Sequence, residues 1–425
     1  MVSIKDNFKY GLVLVVISIL ASLAYFSIGY EYSVSPHAPS PVRNRRIWCG
    51  NDSTTIQEQC PARIEMDNIA RDNIPEELYR VAPEVFDHMP TKFLDGLRSP
   101  CWKVKDKLTC LPSFTLTGVG KCGTTDVWNK IVAHPDIVVT GKEPRWWSRY
   151  RVGRDKALDN PFPLLWFANQ YNKLGKAISE ARDSNKAKKL IAGDGSPSNF
   201  WDNVVWKTTL TAACQNLTTP RYVVADVIRA VLPKMKILAV FRNPTSRLYS
   251  DYNFDNRSCT PGFFHDSVTE STRTFDSCLA TSTRKECVFK FFSEIYEADM
   301  ARKPRPKGKL GMNPIMRLFK GSYSVFVADW LRAFPRDQVM FIRMEDWHSK
   351  CKDMLPNMYQ FLDLEPLSRQ KTDEICNKKQ SNKTPGTKAK GPMLPETKQL
   401  LDKFYEPICK DLAQILDDDR FLWND

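Results

Sequence analysis

Histidine is scarce in this chain of 425 residues, which contains only five. Histidine ligands of a metal ion usually recur at short, regular spacings. No such spacing occurs, so the sequence indicates no histidine-based metal centre, and we expect a protein that requires no metal. His134 precedes a proline after a predicted helix, and we interpret it as part of a structural turn. The five residues are His37, His88, His134, His265 and His348.

Long apolar runs are also scarce. Residues 11–30 contain no charged side chain over about twenty positions, which is the length of a helix that spans a bilayer. Lys5 and Lys9 precede the run, and the positive-inside tendency leaves that short stub in the cytosol. Ala21 and Ala24 lie inside the run, which favours an uncleaved signal anchor over a cleaved signal peptide. We therefore expect a single-pass, type II membrane protein whose later residues are luminal.

The net charge is +13, from 62 basic and 49 acidic residues. This excess favours a polyanionic partner, which can be nucleic acid, anionic lipid or a sulfated or carboxylated glycan. Twelve cysteines and four glycosylation sequons are typical of an oxidising, secretory compartment. Together with the anchor they exclude nucleic acid as the main partner. The sequon residues are Asn51, Asn216, Asn256 and Asn382.

Composition divides the chain into segments, and no internal repeat is present. These are a cytosolic stub (1–10), an anchor (11–30), a proline-containing stem (31–48), a cysteine-containing lead-in (49–112) and a luminal domain (113–425). Residues from about 257 to 309 interrupt the pattern of the luminal domain. We expect an insertion there on the rim of the sheet, where loops that shape substrate specificity tend to lie.

Apolar, β-branched runs alternate with helical stretches from residue 113 onward. This alternation predicts an α/β fold, with a mainly parallel central sheet covered by helices on both faces, behind the transmembrane helix. The predicted strands are 113–120, 137–140, 190–192, 237–241 and 339–342, and the predicted helices are 124–132, 164–182, 221–232, 245–254 and 323–334.

The strongest local motif is Thr-Gly-Val-Gly-Lys-Cys-Gly-Thr-Thr at 117–125, between a predicted strand and a predicted helix. Glycines let backbone N–H groups point at a phosphate, and the helix N-terminus adds partial positive charge. Lys121 precedes the last glycine, whereas the lysine of a Walker loop follows it. The alternative is a glycine-rich turn with an exposed lysine. The candidate binding residues are Gly120, Lys121, Cys122, Gly123, Thr124 and Thr125.

A second anion-binding motif follows the predicted strand 237–241. Arg242 opens an Arg-Asn-Pro turn, and Ser250 lies eight residues later on a predicted helix. Both side chains should reach one edge of the sheet, where a guanidinium fork and a hydroxyl bind an anionic group. The alternative for Arg242 is a surface salt bridge.

Together these motifs resemble the 5′-phosphosulfate-binding and 3′-phosphate-binding motifs of the Golgi carbohydrate sulfotransferases, and the resemblance extends from about residue 113 to the C-terminus. Residues 141–147 (Gly-Lys-Glu-Pro-Arg-Trp-Trp) are similar to the Lys-Glu-x-x-aromatic-aromatic segment of the heparan and chondroitin enzymes. Residues 320–323 (Lys-Gly-Ser-Tyr) are similar to the Gly-x-Tyr cofactor segment. The resemblance implies 3′-phosphoadenosine 5′-phosphosulfate (PAPS) as donor, a glycosaminoglycan as acceptor and a Golgi location.

The resemblance also implies roles for individual residues. Glu143 is the general base for the acceptor hydroxyl, with a surface carboxylate beside Lys142 as the alternative. Lys121 holds the leaving phosphate, Thr124 and Thr125 bind its 5′ side, and Arg242 and Ser250 bind the 3′-phosphate. Tyr323 and Lys383 complete the cofactor site, Lys383 within a basic lid that aligns loosely with residues 382–388.

Within the family, Lys-Cys-Gly-Thr-Thr-Asp with Arg-Asn-Pro and Ser-Asp-Tyr most resembles the branch that sulfates the 6-hydroxyl of 4-sulfated N-acetylgalactosamine in chondroitin or dermatan sulfate. A heparan sulfate O-sulfotransferase and a non-enzymatic receptor for sulfated glycans are the alternatives. A luminal P-loop kinase is disfavoured by the position of Lys121. The oligomeric state is open, with a homodimer among the candidates.

One departure from the family lies at 194–197. Asp-Gly-Ser-Pro stands there in place of Glu-Lys-Ser/Thr-Pro, so a lysine that lines the family's active site is absent.

Cys122 lies inside the phosphate-binding motif and is expected to be unpaired. Eleven other cysteines then leave at least one more outside an intramolecular disulfide. Trp146 and Trp147 suit either sugar stacking or core packing, and residues 404–416 have the spacing of a core helix.

Overall fold

The computed structural model describes residues 74–153, 161–203, 206, 217–255, 260–300, 318–379 and 391–424. The predicted anchor and stem, the four sequon asparagines and Lys383 lie outside these residues. No helix within them is long and apolar enough to cross a membrane.

From residue 114 onward, every strand is followed by one or more helices before the next strand or the C-terminus. The strands are β1 (Cys101–Val104), β2 (Lys107–Cys110), β3 (Phe114–Gly118), β4 (Gly193–Asp194), β5 (Lys236–Phe241) and β6 (Val339–Arg343). The α-helices are α1 (Glu76–Val81), α2 (Pro83–Phe86), α3 (Thr124–Ile131), α4 (Leu164–Asn169), α5 (Asn172–Glu180), α6 (Ser184–Lys189), α7 (Val224–Val231), α8 (Pro244–Asp255), α9 (Pro261–Leu279), α10 (Arg284–Met300), α11 (Tyr323–Ala333), α12 (Met344–Phe361), α13 (Arg369–Cys376) and α14 (Pro395–Leu416).

The central sheet contains four parallel strands in the order β4-β3-β5-β6. Every residue of β5 from Ile237 to Phe241 is buried. Successive side chains of a strand point to opposite faces, so both faces of β5 are covered. The predicted α/β fold with a parallel sheet is therefore confirmed.

The last part of the predicted lead-in forms a hairpin beside this sheet. β1 and β2 pair antiparallel, and the Cys101–Cys110 disulfide joins them. The hydroxyl of Ser99 lies 2.8 Å from that of Ser113 and donates to the carbonyl of Leu190 at 3.3 Å. These contacts attach the hairpin to the start of the parallel sheet.

Three predicted elements differ from the structure. The strand predicted over 190–192 lies later in the chain, as β4, and of the predicted residues only Ile191 forms a bridge. The helix predicted over 164–182 is two helices, because the chain turns between α4 and α5. The turn packs Phe167 of α4 against the Trp146 ring and brings Gly175 of α5 against β2, where a Cβ atom would lie 2.2 Å from the carbonyl oxygen of Leu108. The strand predicted over 137–140 forms only a single parallel bridge, between Ile137 and Ile191.

The segment predicted as an insertion is helical where the structure describes it. It contains α9 and α10, and the Cys278–Cys287 disulfide joins the end of α9 to the start of α10. α9 packs against the C-terminal helix α14.

Trp146 and Trp147 belong to the core, so the sugar-stacking alternative is wrong. Their side chains are almost fully buried, and the Trp146 ring stacks on Phe167 with centroids 4.9 Å apart. The indole N–H of Trp146 donates to the carbonyl of Phe162 at 2.8 Å. Neither ring is accessible to a sugar.

We expect Trp146→Ala to lower the free energy of unfolding by about 3–5 kcal/mol, because it removes a large buried ring and leaves a cavity. Trp102→Ala, in the half-buried ring of β1, should cost clearly less. Denaturant unfolding of the purified chain measures both changes. Equal losses in the two variants would contradict the assignment of Trp146 to the core.

Candidate active site

The candidate site lies at the carboxyl edge of the sheet, between β3 and β5. After β3 the chain crosses to β4 on one side, and β5 and β6 follow on the other side. A crevice opens where the connections of neighbouring parallel strands diverge, and ligands of α/β proteins bind there. The N–H of Val119 donates to the carbonyl of Val240 at 2.9 Å, so the two strand ends remain paired where their loops begin.

The predicted phosphate-binding motif is a tight loop between β3 and α3. Lys121 and Gly123 both have φ of +74°, in the left-handed region that side chains rarely adopt. Gly123 is the N-cap of α3, and no side chain caps this end of the helix. The N–H groups of the first turn point out of this end of the helix, and together they present partial positive charge. Gly120 has open space around its Cα, which leaves the backbone accessible.

Lys121 lies against α8, which carries Ser250. Its ammonium is 3.8 Å from the centroid of the Phe254 ring, a cation–π contact. Phe254 is 57% exposed. Ser250 precedes it by one helical turn and so lies on the same face of α8. The loop lysine and Ser250 therefore face the same part of the crevice.

The side chains of Cys122, from the loop itself, and of Tyr323 lie beneath the backbone of the loop. Both side chains are buried, and burial raises the pKa of the Cys122 thiol to about 11. Cys122 is unpaired, as predicted, and Cys409 is a second cysteine without a disulfide among the described residues. The hydroxyl of Tyr323 donates to the carbonyl of Arg242 at 3.0 Å and lies 3.8 Å from Cys122 Sγ. Tyr323 thus supports both motifs from below, and its contact with a nucleotide stays a prediction.

Arg242 follows β5 and is half-buried. Among the described residues its guanidinium forms no ion pair or hydrogen bond, which disfavours the salt-bridge alternative. Its turn is fixed instead by Glu345, which accepts from the N–H of Asn243 at 3.0 Å and from the indole N–H of Trp423 at 3.1 Å. The guanidinium can therefore bind an anion while its backbone is held in position.

Glu143 lies on the loop before Trp146 and is held by two cations. Lys142 Nζ donates to its Oε1 at 2.8 Å, and Arg145 Nη2 donates to its Oε2 at 2.7 Å. Partial burial raises the pKa of Glu143, but these hydrogen bonds and charges outweigh it, and the pKa lies below the ordinary value of 4.5. The φ of Glu143 is +62°, and the N–H of Arg145 donates to Ser196 Oγ at 2.9 Å, which ties this loop to the turn after β4.

Comparison with known proteins identifies the family. A model of the sulfotransferase domain matches residues 163–403, more than half of the chain. This chain belongs to the sulfotransferase family. Carbohydrate sulfotransferase 15 of Mus musculus is 30% identical to it over 87% of this chain and 72% of the relative, and the protein of that name from Homo sapiens is 29% identical over 82% and 69%. A solved sulfotransferase from Alicyclobacillus acidocaldarius is similar at 16% identity, with a TM-score of 0.42 over 73% of this chain and 97% of that one.

In this sulfotransferase, Lys142 links the carboxylate of Glu143 to the phosphate-binding loop. Its Nζ donates to Thr125 Oγ1 at 3.0 Å, in addition to its bond with Glu143. The sequence draws attention to Glu143 through its motif, whereas Lys142 is only its neighbour there. Nothing in the spacing predicts a contact with a threonine seventeen positions earlier.

Asp194 is a further carboxylate, and it lies near Glu143. It ends β4, is fully buried, and its Oδ2 accepts from Asn199 Nδ2 at 3.1 Å. Burial raises the pKa of Asp194 to about 6, and the negative charge of Glu143 contributes to the rise. Two nearby carboxyl groups thus have pKa values that are displaced in opposite directions, as in many acid–base sites.

The two carboxylates predict different pH profiles. A general base acts in its ionised form. With Glu143 as the base, the rate of sulfuryl transfer should stay level as pH falls through 6 and decline only below about 4.5, because the pKa of Glu143 lies below that value. A pH profile of kcat/KM for the sulfotransferase and its Asp194→Asn variant measures this. A decline centred near pH 6 that disappears in the variant would identify Asp194 as the base.

Proposed function

We propose that this sulfotransferase transfers a sulfuryl group from PAPS to a glycosaminoglycan hydroxyl, the 6-hydroxyl of 4-sulfated N-acetylgalactosamine in chondroitin or dermatan sulfate. One observation carries the proposal. The loop after β3, the Arg242 turn after β5 and Glu143 meet at one edge of the sheet. The hydrogen bonds of Lys142 connect Glu143 to the phosphate-binding motif, through Thr125.

The two basic segments suit a donor with an anionic group at each end. The uncapped N-terminus of α3, Lys121 and the first-turn threonines can bind the 5′-phosphosulfate. Arg242, whose guanidinium has no partner among the described residues, can bind the 3′-phosphate together with Ser250. A 3′ contact of this kind would separate PAPS from other adenine nucleotides.

Sulfuryl transfer is an in-line displacement, in which the acceptor oxygen attacks sulfur and a phosphate oxygen leaves. Glu143 accepts the proton of the attacking hydroxyl, and its ion pairs keep it in the ionised form that this role requires. Lys121 stabilises the charge that grows on the leaving oxygen. The thiol of Cys122 is not proposed as a nucleophile, because burial raises its pKa to about 11.

The names of the relatives and the net charge of this chain support the proposed acceptor. Three relatives of this chain carry the name carbohydrate sulfotransferase 15. A net charge of +13 suits a sulfated, carboxylated chain. A non-enzymatic glycan receptor would have no need for two anion motifs beside an ion-paired carboxylate. A heparan sulfate O-sulfotransferase is the remaining alternative.

We also propose that the enzyme is a type II protein of the Golgi membrane with a luminal catalytic domain. The charge-free run at 11–30 supports the anchor. Three disulfides among the described residues support an oxidising compartment: Cys101–Cys110, Cys278–Cys287 and Cys351–Cys376. We also propose, from the sequence, that Lys383 contacts the donor and that the four sequon asparagines are glycosylated.

The test is transfer from labelled PAPS to chondroitin 4-sulfate, dermatan sulfate and heparan sulfate, followed by disaccharide mapping. We expect label at the 6-position of 4-sulfated N-acetylgalactosamine. If only heparan sulfate is labelled, the enzyme is a heparan sulfate O-sulfotransferase instead. No transfer to any glycan, with glycan binding retained, would support the receptor instead.

Two variants test the roles in the same assay. Glu143→Gln keeps the shape of the side chain but removes the base, so kcat should fall by at least about a hundredfold with donor binding nearly intact. Lys121→Ala should weaken both, because the ammonium contacts the bound phosphate and the developing charge. If Glu143→Gln retains more than about a tenth of the wild-type rate, Glu143 does not provide general base catalysis of the expected size.

A further inference from the structure

Lys142 occupies a position between the two reacting partners of the proposed transfer. Its ammonium lies 3.0 Å from Thr125 Oγ1, in the first turn of α3, and 2.8 Å from Glu143 Oε1. In the proposed function, Thr125 lies at the phosphosulfate end of the donor, and Glu143 takes the proton of the acceptor. The cation therefore lies where the sulfuryl group would pass from one to the other.

The side chain of Lys142 is held in this position by its surroundings. It is 18% exposed, and its stem packs against Gly195, the residue after β4. A Cβ atom at position 195 would lie 3.1 Å from Cγ of Lys142 and 2.9 Å from the ring of Trp128. Glycine at 195 is thus what admits the stem between the end of β4 and α3.

Lys142 also retains hydrogen-bonding capacity. An ammonium has three N–H donors, and two of them bond to Thr125 and Glu143. Among the residues that the structure describes, no acceptor takes the third. Among the described residues, the charged groups that act on Glu143 include Lys142 and Arg145 from its own loop and Asp194 from β4. Of the two cations, Lys142 alone bonds to the phosphate-binding loop.

We propose that Lys142 is a further catalytic residue, whose ammonium contacts the sulfuryl oxygens during transfer. The inference rests on the proposed function. In the step, the acceptor oxygen forms a bond to sulfur while the bond from sulfur to the donor phosphate oxygen breaks. The proton of the acceptor passes to Glu143, and the electron pair of the broken bond stays on the phosphate. Lys121 neutralises the leaving oxygen, and Lys142 neutralises the group in transit.

The test compares Lys142→Met with Lys142→Arg and with Arg145→Met, which removes the other ion pair of Glu143. Removing a donor aimed at developing charge costs about 10²–10³ in kcat. We therefore expect Lys142→Met to lose at least about a hundredfold in kcat at pH 8, with partial recovery in Lys142→Arg. Arg145→Met should lose less than about tenfold, because Arg145 does not reach the loop.

Two further readouts separate catalysis from structural damage. Adenosine 3′,5′-bisphosphate lacks the sulfuryl group, so its affinity by calorimetry should change less than about threefold in Lys142→Met. Both Lys142→Met and Arg145→Met should shift the acidic limb of the kcat/KM profile to higher pH, because each removes a cation that lowers the pKa of Glu143.

The proposal is overturned if Lys142→Met retains wild-type kcat while the wild-type enzyme is active. It is also overturned if Lys142→Met and Arg145→Met lose equal activity, since the only shared effect is on Glu143. Weakened bisphosphate binding in Lys142→Met would indicate a role in donor binding instead. Absence of sulfuryl transfer by the wild-type enzyme would reject the proposed function itself, and the role of Lys142 with it.

Discussion

The candidate site depends on the parallel pairing of β3 with β5. Parallel strands end at the same edge of a sheet, so this pairing brings the loop at Lys121 beside the turn at Arg242 although the two are far apart in sequence. The chain continues from β3 toward one side and from β5 toward the other, which leaves a crevice between the segments. The buried hydroxyl of Tyr323, bonded to the Arg242 carbonyl and close to Cys122, supports both from below.

Charge in this region is divided between a supporting layer and the crevice. In the supporting layer, Asp251 pairs with Arg247 and Lys320, and Glu345 bonds to the Asn243 backbone. These carboxylates are satisfied within the protein, and none of them pairs with the Arg242 guanidinium. The positive charge of Arg242 at the edge of the sheet is therefore not neutralised by these carboxylates. Glu143, which also lies at this edge, is itself paired with Lys142 and Arg145.

The two anion-binding motifs could be predicted from the sequence because each depends on a short, continuous segment. The loop between β3 and α3 and the turn at Arg242 follow from glycine content, strand-forming runs and helix starts. Contacts between distant segments could not be predicted in this way. No periodicity connects Lys142 to Thr125, or Trp423 to Glu345, because each contact joins two segments that only the tertiary structure brings together. The break between α4 and α5 is also tertiary, since it accommodates Phe167 and Gly175 in different parts of the core.

The central claim is that the crevice between β3 and β5 binds both phosphate ends of one nucleotide. Calorimetry with adenosine 3′,5′-bisphosphate and adenosine 5′-monophosphate, on the wild-type protein and Arg242→Ala, tests it most directly. Loss of a charged hydrogen bond costs about 1.5–3 kcal/mol, so the variant should bind the bisphosphate at least about tenfold more weakly. Binding of the monophosphate should stay close to that of the wild type. Equal losses for both nucleotides would contradict the account.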